Sequence, residues 1–127
     1  MTRWKQRTFA SIVSAFLMAA LTLAGQANAQ TASTQVGGAW ETTWAGGQAV
    51  LELTQSGAAV TGTYSGSNEG KVKGTIAGNV LTGNWLGAAN DSGGFVLRFS
   101  ADGKSFTGTW GVGGSRTDGG PWVGKRR

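Results

Sequence analysis

Any chemistry in this chain has to be done without histidine or cysteine, because its 127 residues contain neither. That removes the commonest general base and the commonest thiol nucleophile. Past the N-terminal region the acids are Glu41, Glu52, Glu69, Asp91, Asp102 and Asp118. Strand alternation sends Glu41 and Glu52 to an outer face, Asp102 falls in a tight turn, and the other three fall in longer loops. A pair such as Asp91 and Asp118 has the residue types for carboxylate chemistry, but acids in glycine-rich loops are ordinarily turn formers. They match no EF-hand or tandem calcium repeat. Gly113-Gly114-Ser115 and Gly119-Gly120 are followed by nothing helical, so they lack the dipole of a phosphate cradle. Asn90-Asp91-Ser92 is a glycosylation sequon, relevant only in a host that modifies such sites. The expectation is a protein that is not an enzyme and carries no cofactor and no metal.

The side chains left for function are aromatic. Trp44, Tyr64, Trp85, Phe95, Trp110 and Trp122, with Thr42 as a polar neighbour, are the candidate ligand-binding residues. Rings with a polar edge line concave, mostly apolar sites. The same rings also serve as core bulk in a domain poor in Leu, Ile and Val. Pocket and plug therefore both stand as readings of this set.

The elements that position these rings are strands. From Gly38 onward short β-branched and aromatic runs alternate with glycine, predicting strands near 39–44, 48–55, 59–65, 70–76, 79–86, 94–100, 105–111 and 121–126. No window has helical periodicity. The expected fold is all-β: a single antiparallel up-and-down meander closed into a soluble eight-stranded barrel. Its tight turns (55–58, 77–79, 101–104) alternate with longer glycine-rich connections (66–69, 87–93, 112–120), giving one closed end and one looped mouth.

A repeat supports the assignment: Val60-Thr-Gly-Thr-Tyr64, Leu81-Thr-Gly-Asn-Trp85 and Phe106-Thr-Gly-Thr-Trp110, with weaker copies at 72–76 and 122–126. Its spacing is that of one hairpin per copy. Alternation turns the apolar residue, the central glycine and the aromatic inward, while Thr, Lys and Asn face water. An outer-membrane barrel needs the opposite, an apolar outer face on strands of about 9–11 residues. Stacking the inward residues puts the candidate rings near the mouth, Gly62, Gly74, Gly83, Gly108 and Gly124 beneath them, and Trp40, Val60, Ile76, Leu81, Phe99 and Phe106 toward the closed end. Inward glycine permits the curvature that closure demands.

Ahead of the barrel, Arg3, Lys5 and Arg7 precede an apolar run from Phe9 to Ala24 that ends in Ala27-Asn28-Ala29, the pattern of a secretory signal peptide. The expected organisation is a signal peptide over 1–29, a flexible segment over 30–37 and the barrel over 38–127, in a periplasmic or extracellular protein that is not membrane-spanning once processed. Removing the leader takes the formal charge from +5 to +2. Three of the remaining bases are the terminal Lys125-Arg126-Arg127, a pattern that reads as a solvated end. No basic stripe is interleaved with aromatics, so no nucleic acid is expected as a partner.

Gly38-Ala39-Trp40 and Val60-Thr61-Gly62-Thr63-Tyr64 resemble the Gly-x-Trp start and Leu-Thr-Gly-x-Tyr strand of the avidin family, and more broadly the lipocalin-like calycin barrels, whose first-strand tryptophan closes the base. The resemblance implies that Tyr64 matches the tyrosine that hydrogen-bonds biotin and that Trp85 and Trp110 match wall tryptophans. The chain departs from the avidin pattern at Thr42, Gly46, Gly66 and Lys125-Arg126, where that family has ligand-contacting Asn, Ser, Ser and an acid. It thus implies the barrel more than it implies biotin. Three functional classes follow: a binding protein for a small amphiphilic, aromatic or glycan ligand at the mouth; a protein-interaction or inhibitor module using loops 87–93 and 112–120; and a structural barrel without ligand.

Overall fold

A computed structural model describes residues 33–127. The expected signal peptide and the first part of the segment after it lie outside the described residues. Eight strands run in sequence order: β1 (Gly38–Trp44), β2 (Gly47–Ser56), β3 (Ala59–Gly66), β4 (Gly70–Ala77), β5 (Val80–Gly87), β6 (Ser92–Phe99), β7 (Ser105–Trp110) and β8 (Gly120–Arg126). Each pairs antiparallel with its neighbour, and β8 pairs with β1 to close the barrel. No helix among the described residues is long and apolar enough to cross a membrane. The outward positions Thr61, Thr63, Lys71, Lys73, Thr75 and Thr107 are exposed, giving the barrel a polar outer face.

Local chemistry sets the closed end. Gly57 and Gly78 each open a two-residue hairpin at φ 61°, the left-handed conformation that such turns ask of their first residue. The third turn is held by Ser100 and Asp102. The Ser100 hydroxyl donates to Asp102 Oδ1 at 2.6 Å, and the Lys104 amide donates to the same oxygen at 3.0 Å. Those two bonds, the Ser100 bond foremost, lower the Asp102 pKa.

The register places four of the five inward glycines opposite a large side chain: Gly62 against Leu53 and Val72, Gly83 against Phe95, Gly108 against Leu97 and Trp122, Gly124 against Phe106, while Gly74 lies between Val60 and Gly83. Neighbouring backbone fills the space a Cβ would need. A Cβ on Gly62, Gly83 or Gly108 would lie 2.0–2.2 Å from a carbonyl oxygen of the adjacent strand. These positions admit glycine because the sheet bends onto itself there.

Two expectations fail at the base, and for one reason. Thr34–Gly37, expected within a flexible segment, is pinned across the closed end. Val36 is fully buried, its amide donates to Gln55 Oε1 at 2.8 Å, and its carbonyl accepts the Trp40 indole N–H at 2.9 Å. Arg126, expected in a solvated tail, lies with its guanidinium 4.4 Å from the centroid of the Trp40 ring. It donates to the carbonyls of Gly103, Gly37 and Gln35 at 3.0, 2.6 and 2.9 Å. Gly38, at φ 123°, makes room for this fork, since a Cβ there would lie 3.0 Å from Nη1. Carbonyls left free where chain meets barrel base need a donor, and the planar five-donor guanidinium serves three at once.

Removing that fork leaves three carbonyls and a ring face without their partner. Arg126→Ala should lower unfolding stability in urea by about 2–4 kcal/mol. Arg126→Lys should recover less than half, because an ammonium cannot span three carbonyls. A loss below about 0.5 kcal/mol for Arg126→Ala, the range of ordinary surface substitutions, would return Arg126 to the solvated tail.

Candidate functional site

The opposite end is open. β1 delivers Trp44 to it, β3 Tyr64, β5 Trp85, β7 Trp110 and β8 Trp122. These five rings line a cavity of about 490 Å³. That volume lies within the range of about 300–1,000 Å³ typical of small-molecule sites. Trp122, 5% exposed, is the hub: it meets Trp44, Tyr64, Phe95 and Phe106 in edge-to-face contacts with centroids 5.7–6.5 Å apart. Trp85 and Trp110 make a second such pair at 6.0 Å and 74°. Edge-to-face pairs of this kind contribute about 0.5–1.5 kcal/mol each beyond burial.

Glycine seats the rings. A Cβ on Gly119 would lie 2.5 Å from the Trp110 ring, one on Gly47 would lie 2.8 Å from Trp44, and one on Gly70 would lie 2.5 Å from the Tyr64 hydroxyl. Trp85 is fixed by a bond instead: its indole N–H donates to the Gly111 carbonyl at 2.8 Å. The indole N–H groups of Trp110 and Trp122 are buried and have no hydrogen-bond partner among the described residues. A stranded donor of this kind costs on the order of 1–3 kcal/mol.

Two of the seven candidate residues lie outside the cavity lining. Phe95 is buried beneath Trp122, because the register sets it opposite Gly83 on one side and Trp110 on the other. Barrel stagger thus lowers it below the mouth layer. Thr42 is also buried, and its hydroxyl donates to the Ala49 carbonyl at 2.9 Å within the β1–β2 ladder. The rim, in turn, holds residues not named as candidates: Ser67, Asn68, Glu69, Gly87, Ala88, Ala89, Asp91 and Val112. Loop chemistry puts these residues in the mouth connections 66–69, 87–93 and 112–120, but alternation, which selects the ligand-binding set, reaches strands and not loops.

The rim loops are internally bonded. The Ala88 amide donates to the Glu69 carbonyl at 3.1 Å, joining the β3–β4 and β5–β6 loops. Asn90 turns the second loop at φ 68°, and Asp91 packs on Gly87. Asp118 does not line the cavity; its Oδ1 accepts the Val112 amide at 2.9 Å and ties the β7–β8 loop together. That loop also returns to β6, with the Gly94 amide donating to Ser115 at 3.1 Å and the Gly113 amide to Ser92 at 2.8 Å.

No protein-family model matches the chain, and no curated protein or solved structure matches it. The eight-stranded antiparallel barrel is consistent with a calycin-like fold in general.

Burial, and after it the charge of Asp91, raise the pKa of Tyr64 above its ordinary value near 10.0. Tyr64 is the one tyrosine in the chain, so tyrosinate absorbance at 295 nm reports it alone. Its midpoint should lie above that of a model phenol, and Asp91→Asn should lower it without abolishing the shift. Because the folded pKa is raised, stability should be intact below pH 10 and fall as pH rises through the Tyr64 midpoint. A midpoint at the ordinary phenol value near 10.0 would remove both burial and Asp91 from the description of this wall.

Proposed function

We propose that this protein is an exported, non-catalytic binding protein whose mouth takes a small ligand with apolar or aromatic surface. The observation that carries the reading is the open cavity walled by five aromatic rings, two of which strand a buried N–H. A solid plug is better made of Phe and Leu, which pack without a donor to satisfy. Tryptophan at 110 and 122 gains edge-to-face contacts that Phe could also make, but strands two indole donors that Phe would not, a cost that binding sites commonly carry. The bonded rim loops favour a preformed pocket over an adaptable protein-docking surface, and Asp118 is engaged in holding its own loop. The likeness to avidin and calycin barrels supports a ligand at this end. Biotin is not proposed: Thr42 stands where that family has a ligand-contacting Asn, and its hydroxyl is engaged with Ala49.

Titration with the neutral apolar probe N-phenyl-1-naphthylamine, read by its emission and by tryptophan quenching, tests this directly. Saturable binding is expected. Trp110→Phe should weaken it about tenfold, the effect of about 1.4 kcal/mol, while changing unfolding stability by less than about 1 kcal/mol, since the stranded donor goes with the lost ring volume. A probe that does not saturate, together with a Trp110→Phe loss above about 2 kcal/mol of the kind seen for large core truncations, would make the rings a plug.

A further inference from the structure

We infer that the ligand class of this cavity is a small organic cation, a protonated or quaternary amine carrying apolar groups. The inference rests on the reading of the mouth as a ligand site and adds the charge. It begins with ring orientation. Trp122 stands at 85° to Trp44 and 78° to Tyr64, and Trp85 at 74° to Trp110. Near-perpendicular neighbours make the walls of a box; a flat platform for a planar ligand would need them parallel. The electron-rich faces of such a box attract a compact cation, most strongly once it is desolvated.

The second observation is independent of the rings. The charged side chains that line the cavity are Glu69 and Asp91, and no lysine or arginine is among the lining residues. Neither carboxylate takes part in an ion pair among the described residues, where the pair found is Arg127 with Glu41 at 3.7 Å. The bases lie elsewhere. Lys104, Lys125, Arg126 and Arg127 belong to the closed end, Lys71 and Lys73 point outward from β4, and Arg98 points outward from β6. Arg116 packs along Gly94 on the β7–β8 loop. Past residue 29 the chain carries a formal +2, yet the charged residues that line its mouth are both acidic. Both carboxylates are exposed at the rim, and the low-dielectric ring walls below them focus their field toward the cavity, to a degree that added salt reduces.

The test compares three probes of similar size and different charge, benzyltrimethylammonium, benzyl alcohol and benzoate, by calorimetry and tryptophan fluorescence at low ionic strength. The cation should bind about tenfold or more tightly than the alcohol, with benzoate weakest, and added NaCl should weaken the cation alone. In the Glu69→Gln/Asp91→Asn double variant the preference for cation over alcohol should shrink about fivefold or more while alcohol binding holds, following the loss of the charge terms alone. Trp110→Leu, which keeps apolar bulk without a ring face, should lose cation binding with the far-UV spectrum unchanged. Alcohol binding as tight as the cation, a preference untouched by the double variant, or cation binding that survives Trp110→Leu would each overturn the inference. The neutral naphthylamine probe separates the two levels: if it saturates while cation preference is missing, the pocket stands and the charge assignment falls. If no probe binds, both fall.

Discussion

A large ring laid on a residue without a Cβ is the contact this barrel depends on. An eight-stranded barrel has room inside for little more than ordinary side chains, yet this one holds five tryptophan or tyrosine rings at its mouth and Trp40, Phe99 and Phe106 at its base. They fit because glycine lies beneath or beside them. Gly119 seats Trp110, Gly47 seats Trp44, Gly70 seats Tyr64 and Gly124 seats Phe106, where a Cβ would lie 2.3 Å from the ring. The glycines of the Thr-Gly-x-aromatic repeat, Gly62, Gly83 and Gly108, lie against backbone carbonyls and let the strands bend into closure, whereas those that seat rings lie outside the repeat. Curvature and aromatic content are therefore served by two sets of glycine.

The two ends differ in how their polar groups are met. At the base no buried side-chain donor or acceptor among the described residues lacks a partner: the Trp40 N–H reaches Val36, and Arg126 serves three carbonyls. At the mouth two indole donors have none, and the acids are unpaired. Both ends contribute packed rings, but only the mouth keeps buried side-chain donors without a partner. Functional sites commonly carry such unsatisfied groups.

Much of the fold was legible in the sequence because glycine marks both its turns and its inward positions, while period-two alternation marks its faces. The assigned strands agree with the structure to within about two residues, the usual scatter of element boundaries. What was not legible depends on partners distant along the chain. Three basic residues at a terminus carry no sign that Arg126 reaches carbonyls 89 and 91 positions away. Val36 sits in a polar run whose anchor, Gln55, belongs to another strand. Phe95 has the spacing of a mouth residue but is lowered by stagger between strands, a property of closure that no single strand encodes. The five lining rings follow from alternation, while Glu69 and Asp91, from which the charge of the site is argued, belong to loops where alternation is silent.

The central claim, a satisfied base and an unsatisfied, accessible mouth, is tested most directly by native-state hydrogen exchange of the indole N–H groups in tryptophan-labelled protein followed by NMR. Trp40 should exchange only through global unfolding. Trp110 and Trp122 should exchange through local opening, faster by at least about two orders of magnitude, a difference of about 2.8 kcal/mol in opening free energy. Equal protection at all three positions would contradict the account and make the barrel solid from end to end.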